Sequence, residues 1–166
     1  MFIIMERVKN LSECVGSFGR NESVVVLMDL NARAGNEVIE GIVGRHGVPG
    51  RNERGERLLE MCAEQELVVG NSWFKENDVY KYTWLRIAEG RVLDKALMDY
   101  VLLPRRMLGR LLDVNVWRGD GGGMSDHFLV EARLKLVGGW RSAGRMEGVR
   151  NVLKASELNN SVKERA

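Results

Sequence analysis

The residue pattern predicts an α/β domain built on one mostly antiparallel sheet with flanking helices. Three observations lead there. Residues 24–28 are a continuous apolar run of strand formers, and residues 97–103 a mostly apolar strand stopped by Pro104. Segments 112–117 and 127–137 alternate apolar and polar side chains, the two-residue period of a half-buried strand. Other stretches carry apolar residues three and four apart, which lines one face of a helix.

Taken in order, Val8, Leu11, Val15 and Phe18 predict a helix within an N-terminal segment 1–21, closed by the turn signal Gly19-Arg20-Asn21. Residues 24–28 are continuously apolar, the pattern of a strand covered on both faces. Asp29-Leu30-Asn31 follows at the strand's C-terminal end, where open α/β sheets present chemistry. Residues 34–52 read as loop, with Gly35, Gly41, Gly44, Gly47, Pro49 and Gly50. Asn52-Glu53-Arg54-Gly55-Glu56 leads into a helix with Leu58, Leu59, Cys62 and Leu67 on its buried side, ended by Gln65-Glu66. A short strand (67–71), a loop (72–79) and an alternating strand (80–85) follow, then a turn at Ala88-Glu89-Gly90-Arg91. The strand 97–103 is stopped by Pro104, and 105–111 makes one helical turn. In 112–117, Leu112, Val114 and Val116 share a face. Residues 119–123 are a flexible loop, and the last strand puts Phe128, Val130, Ala132, Leu134 and Leu136 on one side. The main domain is thus 22–137, and 138–166 is a charged tail, helical or disordered.

Composition narrows the class. The 166 residues are 45% hydrophobic and 29% charged, which favours a globular chain with a core over disorder. No apolar run approaches the roughly 18 residues of a membrane span. The apolar start is short and broken by Glu6-Arg7, so no secretory leader is expected. An intracellular protein of nucleus or cytoplasm, with no membrane partner, is the expectation. Cys14 and Cys62 form neither a disulfide framework nor a metal spacing. A net charge of +2 does not by itself argue for nucleic acid. Arg45, Arg51, Arg54 and Arg57 can approach phosphates, although a solvated loop and helix face explains them more simply. His46 reads as a loop histidine with local bonds, and Trp73, Trp84, Trp117 and Trp140 read as packing residues before stacking platforms.

The chemistry concentrates in three places: Asp29 and Asn31 after one strand, Asp99 at the start of another, and Ser125-Asp126-His127 opening the last. Phosphodiester hydrolysis needs an oriented water, neutralised phosphate charge and help for the leaving oxygen. Asp29 can hold the attacking water, and Asn31 can bond a phosphate oxygen. Asp126 can bind a metal or its water. His127 can touch the phosphate while Asp99 accepts its other ring proton. Singly, each of these residues is more often a cap, a turn or a satisfied edge residue than a functional group; the order and context give them weight.

These residues resemble the endonuclease/exonuclease/phosphatase family, and more closely the endonuclease domain of LINE-type retrotransposons and sequences derived from it. The resemblance runs from Val24 to about Leu136. It rests on Asp29-Leu30-Asn31-Ala32-Arg33, Gly44-Arg45-His46-Gly47, Asn52-Glu53-Arg54-Gly55 and Asn71-Ser72-Trp73-Phe74. Tyr82-Thr83-Trp84, Asp99-Tyr100-Val101 and Ser125-Asp126-His127 continue it. It implies the C-terminal part of a DNase I-like α/β sandwich and Mg²⁺-dependent cleavage of DNA, with Mn²⁺ as the other candidate ion. It also implies water activation and phosphate binding by Asp29 and Asn31, a pair of Asp99 with His127, and Asp126 near the metal. Thr83-Trp84 and Asn71 are expected at the rim.

The sequence departs from that pattern. Met28 and Leu30 stand where Gly and Phe are usual, and no strand-borne Glu pattern precedes Asp29. The expectation is therefore a truncated domain, weakly active or inactive, that binds its ion weakly and self-associates through an uncovered sheet face. The alternatives are a non-catalytic module binding DNA or protein, and the product of a decayed element.

Overall fold

A computed structural model describes residues 11–18, 24–118 and 125–135. The expectations for residues 1–10, the turn at 19–21, the loop 119–123, Leu136 and the tail 138–166 lie outside the described residues, as does Trp140.

Among the described residues there are seven strands: β1 (Val26–Asp29), β2 (Leu67–Val69), β3 (Trp84–Ala88), β4 (Arg91–Ala96), β5 (Asp99–Pro104), β6 (Leu111–Trp117) and β7 (Leu129–Leu134). All named pairings are antiparallel, but the strands form three sheets instead of the one expected: β1-β5-β2, β3-β4 and β6-β7. The chain turns out of the first sheet through a 3-10 segment after β2 (Gly70–Ser72) and another after β5 (Arg105–Arg110). These turns end the ladders before the sheets can merge.

The central strand is β5. Its alternating side chains enter two cores. Tyr100 and Leu102 join Leu67, Val69 and the helix residues Leu58, Leu59 and Cys62 on one side. Val101 and Leu103 join Val68, Met107, Leu111 and Val114 on the other, with Val130, Ala132 and Leu134 packed against them. Each such side chain contributes about 1.5–3 kcal/mol on burial. The strand covered on both faces is therefore β5. The reading of 24–28 is corrected: β1 lies at the sheet edge among the described residues, and Leu27 and Met28 are 62% and 39% exposed.

The helix Glu53–Glu64 is capped by Asn52, whose Oδ1 accepts from Gly55 N–H at 2.9 Å and from Arg33 N–H at 3.0 Å. A Cβ on Gly55 would lie 1.8 Å from the Arg33 carbonyl oxygen, so the close packing of these two segments requires glycine there. Residues 11–16 are also helical, and the Gln65 amide donates to Ser12 Oγ at 3.2 Å.

Three strand readings change. Residues 80–85 are not one strand: Asp78–Tyr80 is a 3-10 turn, and β3 begins only at Trp84. Strand β4 has no apolar alternation, and its Val92 and Leu93 are exposed. It forms because Glu89 and Gly90, both at positive φ, make a two-residue hairpin turn after β3. In β6 a register shift between Leu111 and Asp113 buries Leu111 and leaves Leu112 57% exposed, while Val114 and Val116 point inward as expected.

Tyr100 ties the loop after β1 to the core. Its hydroxyl accepts from Ala34 N–H at 3.1 Å and lies 3.0 Å from the Ala32 and Leu97 carbonyl oxygens. Burial raises its phenol further above the usual range, so it remains a donor at physiological pH. Replacing Tyr100 with Phe strands a buried amide and is expected to cost about 1–3 kcal/mol in urea unfolding. An unchanged midpoint would contradict that role.

Arg33 holds the Asp94 carboxyl below its ordinary range, and Arg133 does the same for Asp113 across the β6–β7 pair. Both carboxylates therefore bind fewer protons folded than unfolded. Their contribution is complete above the ordinary carboxylate pKa and is lost as pH falls through the lowered folded values. Thermal melts from pH 7 down to pH 2 should show this loss, and Arg133→Gln should flatten part of it.

Candidate functional site

Thr83 is the buried point on which three segments meet. Its Oγ, on a residue that is 0% exposed, accepts from Met98 N–H at 2.9 Å and Asp99 N–H at 3.0 Å. Its carbonyl accepts from Phe128 N–H at 2.8 Å, and Leu85 N–H donates to the Asp126 carbonyl at 3.1 Å. These bonds flank an antiparallel bridge between Trp84 and His127. The segment after the loop is thereby laid beside the start of β5.

The result is a contact between residues 28 apart in sequence: His127 Nδ1 lies 2.9 Å from Asp99 Oδ2. An ionised carboxylate only accepts, so Nδ1 carries the proton in this pair. Both side chains are half-buried, at 29% and 20% exposure, open enough to meet a ligand.

Asp29 arrives from the neighbouring strand. The β1–β5 register sets Asp29 directly opposite Asp99, and one ligand atom from each of Asp29, Asp99 and His127 lies within 4.8 Å of the others. Asn31 occupies the left-handed region at φ 49°, a conformation asparagine tolerates better than most residues. That conformation lets its N–H donate to Asp29 Oδ1 at 2.8 Å and its amide Nδ2 donate to Asp29 Oδ2 at 3.2 Å. Asn31 thus holds both oxygens of Asp29.

Asp126 is exposed, and its carboxylate takes a separate partner. The Trp84 indole Nε1–H donates to Asp126 Oδ2 at 2.6 Å. The structure therefore brings Asp29, Asn31, Asp99 and His127 together, and leaves the Asp126 carboxylate tied to an aromatic ring beside them.

Asn71 stands next to Asp99 as a backbone clamp. Its Nδ2 donates to the Asp99 carbonyl at 3.2 Å and its Oδ1 accepts from Val101 N–H at 2.8 Å, continuing the ladder where β2 ends. The Trp84–Asp126 and Thr83–Asp99 bonds were not readable from local pattern. They join residues 42 and 16 apart, and only the fold makes them neighbours.

The arginines of the loop and helix are largely engaged inside the protein. Arg51 bonds the Ala34 carbonyl and pairs with Glu37, Arg54 reaches the Asn31 carbonyl at 3.3 Å, and Arg57 pairs with Glu53. His46 donates its backbone N–H to the Ser72 carbonyl.

The donor set is compatible with a hydrated Mg²⁺ or Mn²⁺ ion. Such ions take oxygen ligands, need only one or two carboxylates, and keep several waters. Among the described residues, Asp29, Asp99 and His127 form the group whose ligand atoms could meet one ion, and Asp126 is not part of it; Asp99 and His127 are also engaged with each other, Asp29 with Asn31 and Asp126 with Trp84. Among the described residues no helix is long and apolar enough to cross a membrane.

Comparison with known proteins gives one group of relatives. The chain is 34% identical over 111 residues to craniofacial development protein 2 of Bos taurus, and 33% identical over 111 residues to that of Tragulus javanicus. The matched part is 67% of this chain but only 18% and 19% of those proteins, so the chain spans about a fifth of their length. No family model matches the chain.

If Asp99 fixes the imidazole tautomer, Asp99→Asn should move neutral His127 toward the Nε2–H form. The ring ¹⁵N shifts report this directly, and with two histidines in the chain the assignment is simple. Unchanged ring shifts would rule out control of the tautomer by Asp99.

Proposed function

We propose that this chain carries part of the site of a Mg²⁺-dependent endonuclease-type phosphodiesterase acting on DNA. The same proposal makes its fold part of a DNase I-like sandwich derived from a LINE-type retrotransposon endonuclease. The observation that carries the reading is the His127–Asp99 pair set beside Asp29. In hydrolysis a water oxygen attacks phosphorus, the phosphorus–oxygen ester bond breaks, and the leaving oxygen takes a proton from solvent water. Asp29 orients the water as acceptor of its proton. With Nδ1–H held by Asp99, neutral His127 presents Nε2 as a base, and the imidazolium presents it as a donor to a phosphoryl oxygen. Asn31 has a second amide hydrogen beyond the one it gives Asp29, suited to another phosphate oxygen. A divalent ion held by Asp126 would supply positive charge to the phosphate.

Activity of this chain is expected to be weak. Asp99 and His127 are committed to each other and Asp126 to Trp84, which leaves few free carboxylate oxygens for an ion. The exposed Leu27 and Met28 on β1 are consistent with self-association through an uncovered sheet face. The second reading is a non-catalytic DNA- or protein-binding module, favoured by the same engagement of the acids.

Nicking of supercoiled plasmid tests the choice. The expected result is slow, Mg²⁺-requiring nicking that His127→Ala reduces by about 10²–10⁴-fold, the usual contribution of a positioned acid–base group. Nicking indifferent to His127, Asp29 and Asp126 would refute the assignment. Salt-sensitive DNA retention without any cleavage would favour the binding module.

A further inference from the structure

We propose that Arg118 is a positioning residue that fixes the direction in which the His127 imidazole faces; this rests on the phosphodiesterase reading above. The Arg118 Nη2 donates to the Val79 and Tyr82 carbonyl oxygens, the latter at 3.3 Å, and its Cζ lies 4.1 Å from the centroid of the Phe128 ring. One guanidinium therefore grips the residue just before Thr83 and the residue just after His127. Nη2 carries two hydrogens, one for each carbonyl. The planar, weakly hydrated group can lie on a ring face while it donates within its own plane, which a lysine ammonium cannot do. Among the described residues its Nε is buried without a hydrogen-bond partner, and no carboxylate pairs with it. The strap thus depends on Nη2 and the ring.

The consequence comes from the two-residue period of extended backbone. At His127 the chain is paired through an isolated bridge to Trp84 and the two backbone bonds beside it, and β7 begins only at Leu129. Successive side chains of such a segment point to opposite faces, and a slip of one residue exchanges them. Arg118 holds the Phe128 ring on one face. His127 is thereby committed to the other, where its Nδ1 lies 2.9 Å from Asp99 Oδ2. The Phe128–Thr83 backbone bond fixes where the segment lies; the stacked ring fixes how it is turned about its own axis. Arg118 acts on the imidazole through Phe128.

Ring ¹⁵N spectra of the full chain, taken at one pH where the imidazoles are neutral, test this with His46 as the internal control. Arg118→Met is expected to move the His127 ring from the Nδ1–H form toward the Nε2–H form and to leave His46 in place. Arg118→Lys keeps the charge, loses the planar fork and should move the ring less, in the same direction. Phe128→Leu keeps both carbonyl bonds and removes the ring face. It should reproduce the movement of Arg118→Met, and the double variant should add little, because the two residues act as one unit. Plasmid nicking should fall about 10²-fold in Arg118→Met, the scale of a small misplacement of a reacting group. A His127 ring unmoved in Arg118→Met would overturn the positioning role. So would full additivity with Phe128→Leu, or His127 and His46 moving together in both Arg118 variants, which marks a structural contact alone. A parent chain that nicks no DNA would refute the phosphodiesterase reading, whereas the ring spectra decide the role of Arg118 without any cleavage.

Discussion

A single buried hydroxyl sets the geometry on which the candidate site depends. Thr83 Oγ accepts the amides of Met98 and Asp99, and the Thr83 carbonyl accepts the amide of Phe128. Polar groups excluded from water must find partners, so these bonds are costly to break and leave little freedom in the three segments. Asp99 and His127 come within hydrogen-bond distance because Asp99 is bonded to Thr83 through its own amide and His127 is held to the same threonine through its neighbour Phe128. Valine there would preserve shape and β-propensity yet leave two amides without an acceptor.

The two cores on either side of β5 stiffen this frame. One face of the strand is covered by the helix Glu53–Glu64 and the other by the β6–β7 pair, so β5 is held between packed layers. Asp99, its first residue, sits where the packed strand emerges toward solvent. That position combines a rigid base with access for a ligand, the combination a site of polar chemistry requires. Strand β1 is different: its inner contacts orient Asp29 opposite Asp99, while Leu27 and Met28 remain exposed at the sheet edge.

Hydrogen bonding also limits what the charged residues can do. Arg33 is held by Asp94, Arg51 by Glu37, Arg57 by Glu53 and Arg133 by Asp113. Exposed ion pairs of this kind each add little to stability, but they reduce the charge available for a polyanion. Arg54 is turned onto the Asn31 backbone and supports the turn that presents Asp29. These positions look alike as a string of basic residues; their partners separate the structural from the available.

How much was legible varies by element and has physical causes. The helix after Asn52 was readable because its cap, its apolar spacing and its end are all local. So were the Glu89-Gly90 turn and the inward Val114 and Val116. Strand β4 was not, because its sequence lacks alternation and its pairing is imposed by the turn before it. The single sheet was not, because which strands pair depends on contacts between distant segments that local pattern does not carry. The sequence by itself determined which side chains could do chemistry and that they stand at strand ends, since carboxylate, amide and imidazole are properties of residues. Only the tertiary structure decided that Asp99 holds His127, that Asn31 holds Asp29, and that Trp84 draws Asp126 aside. Those are contacts between distant segments, and their partners are chosen by the packing of β5 and the buried bonds of Thr83.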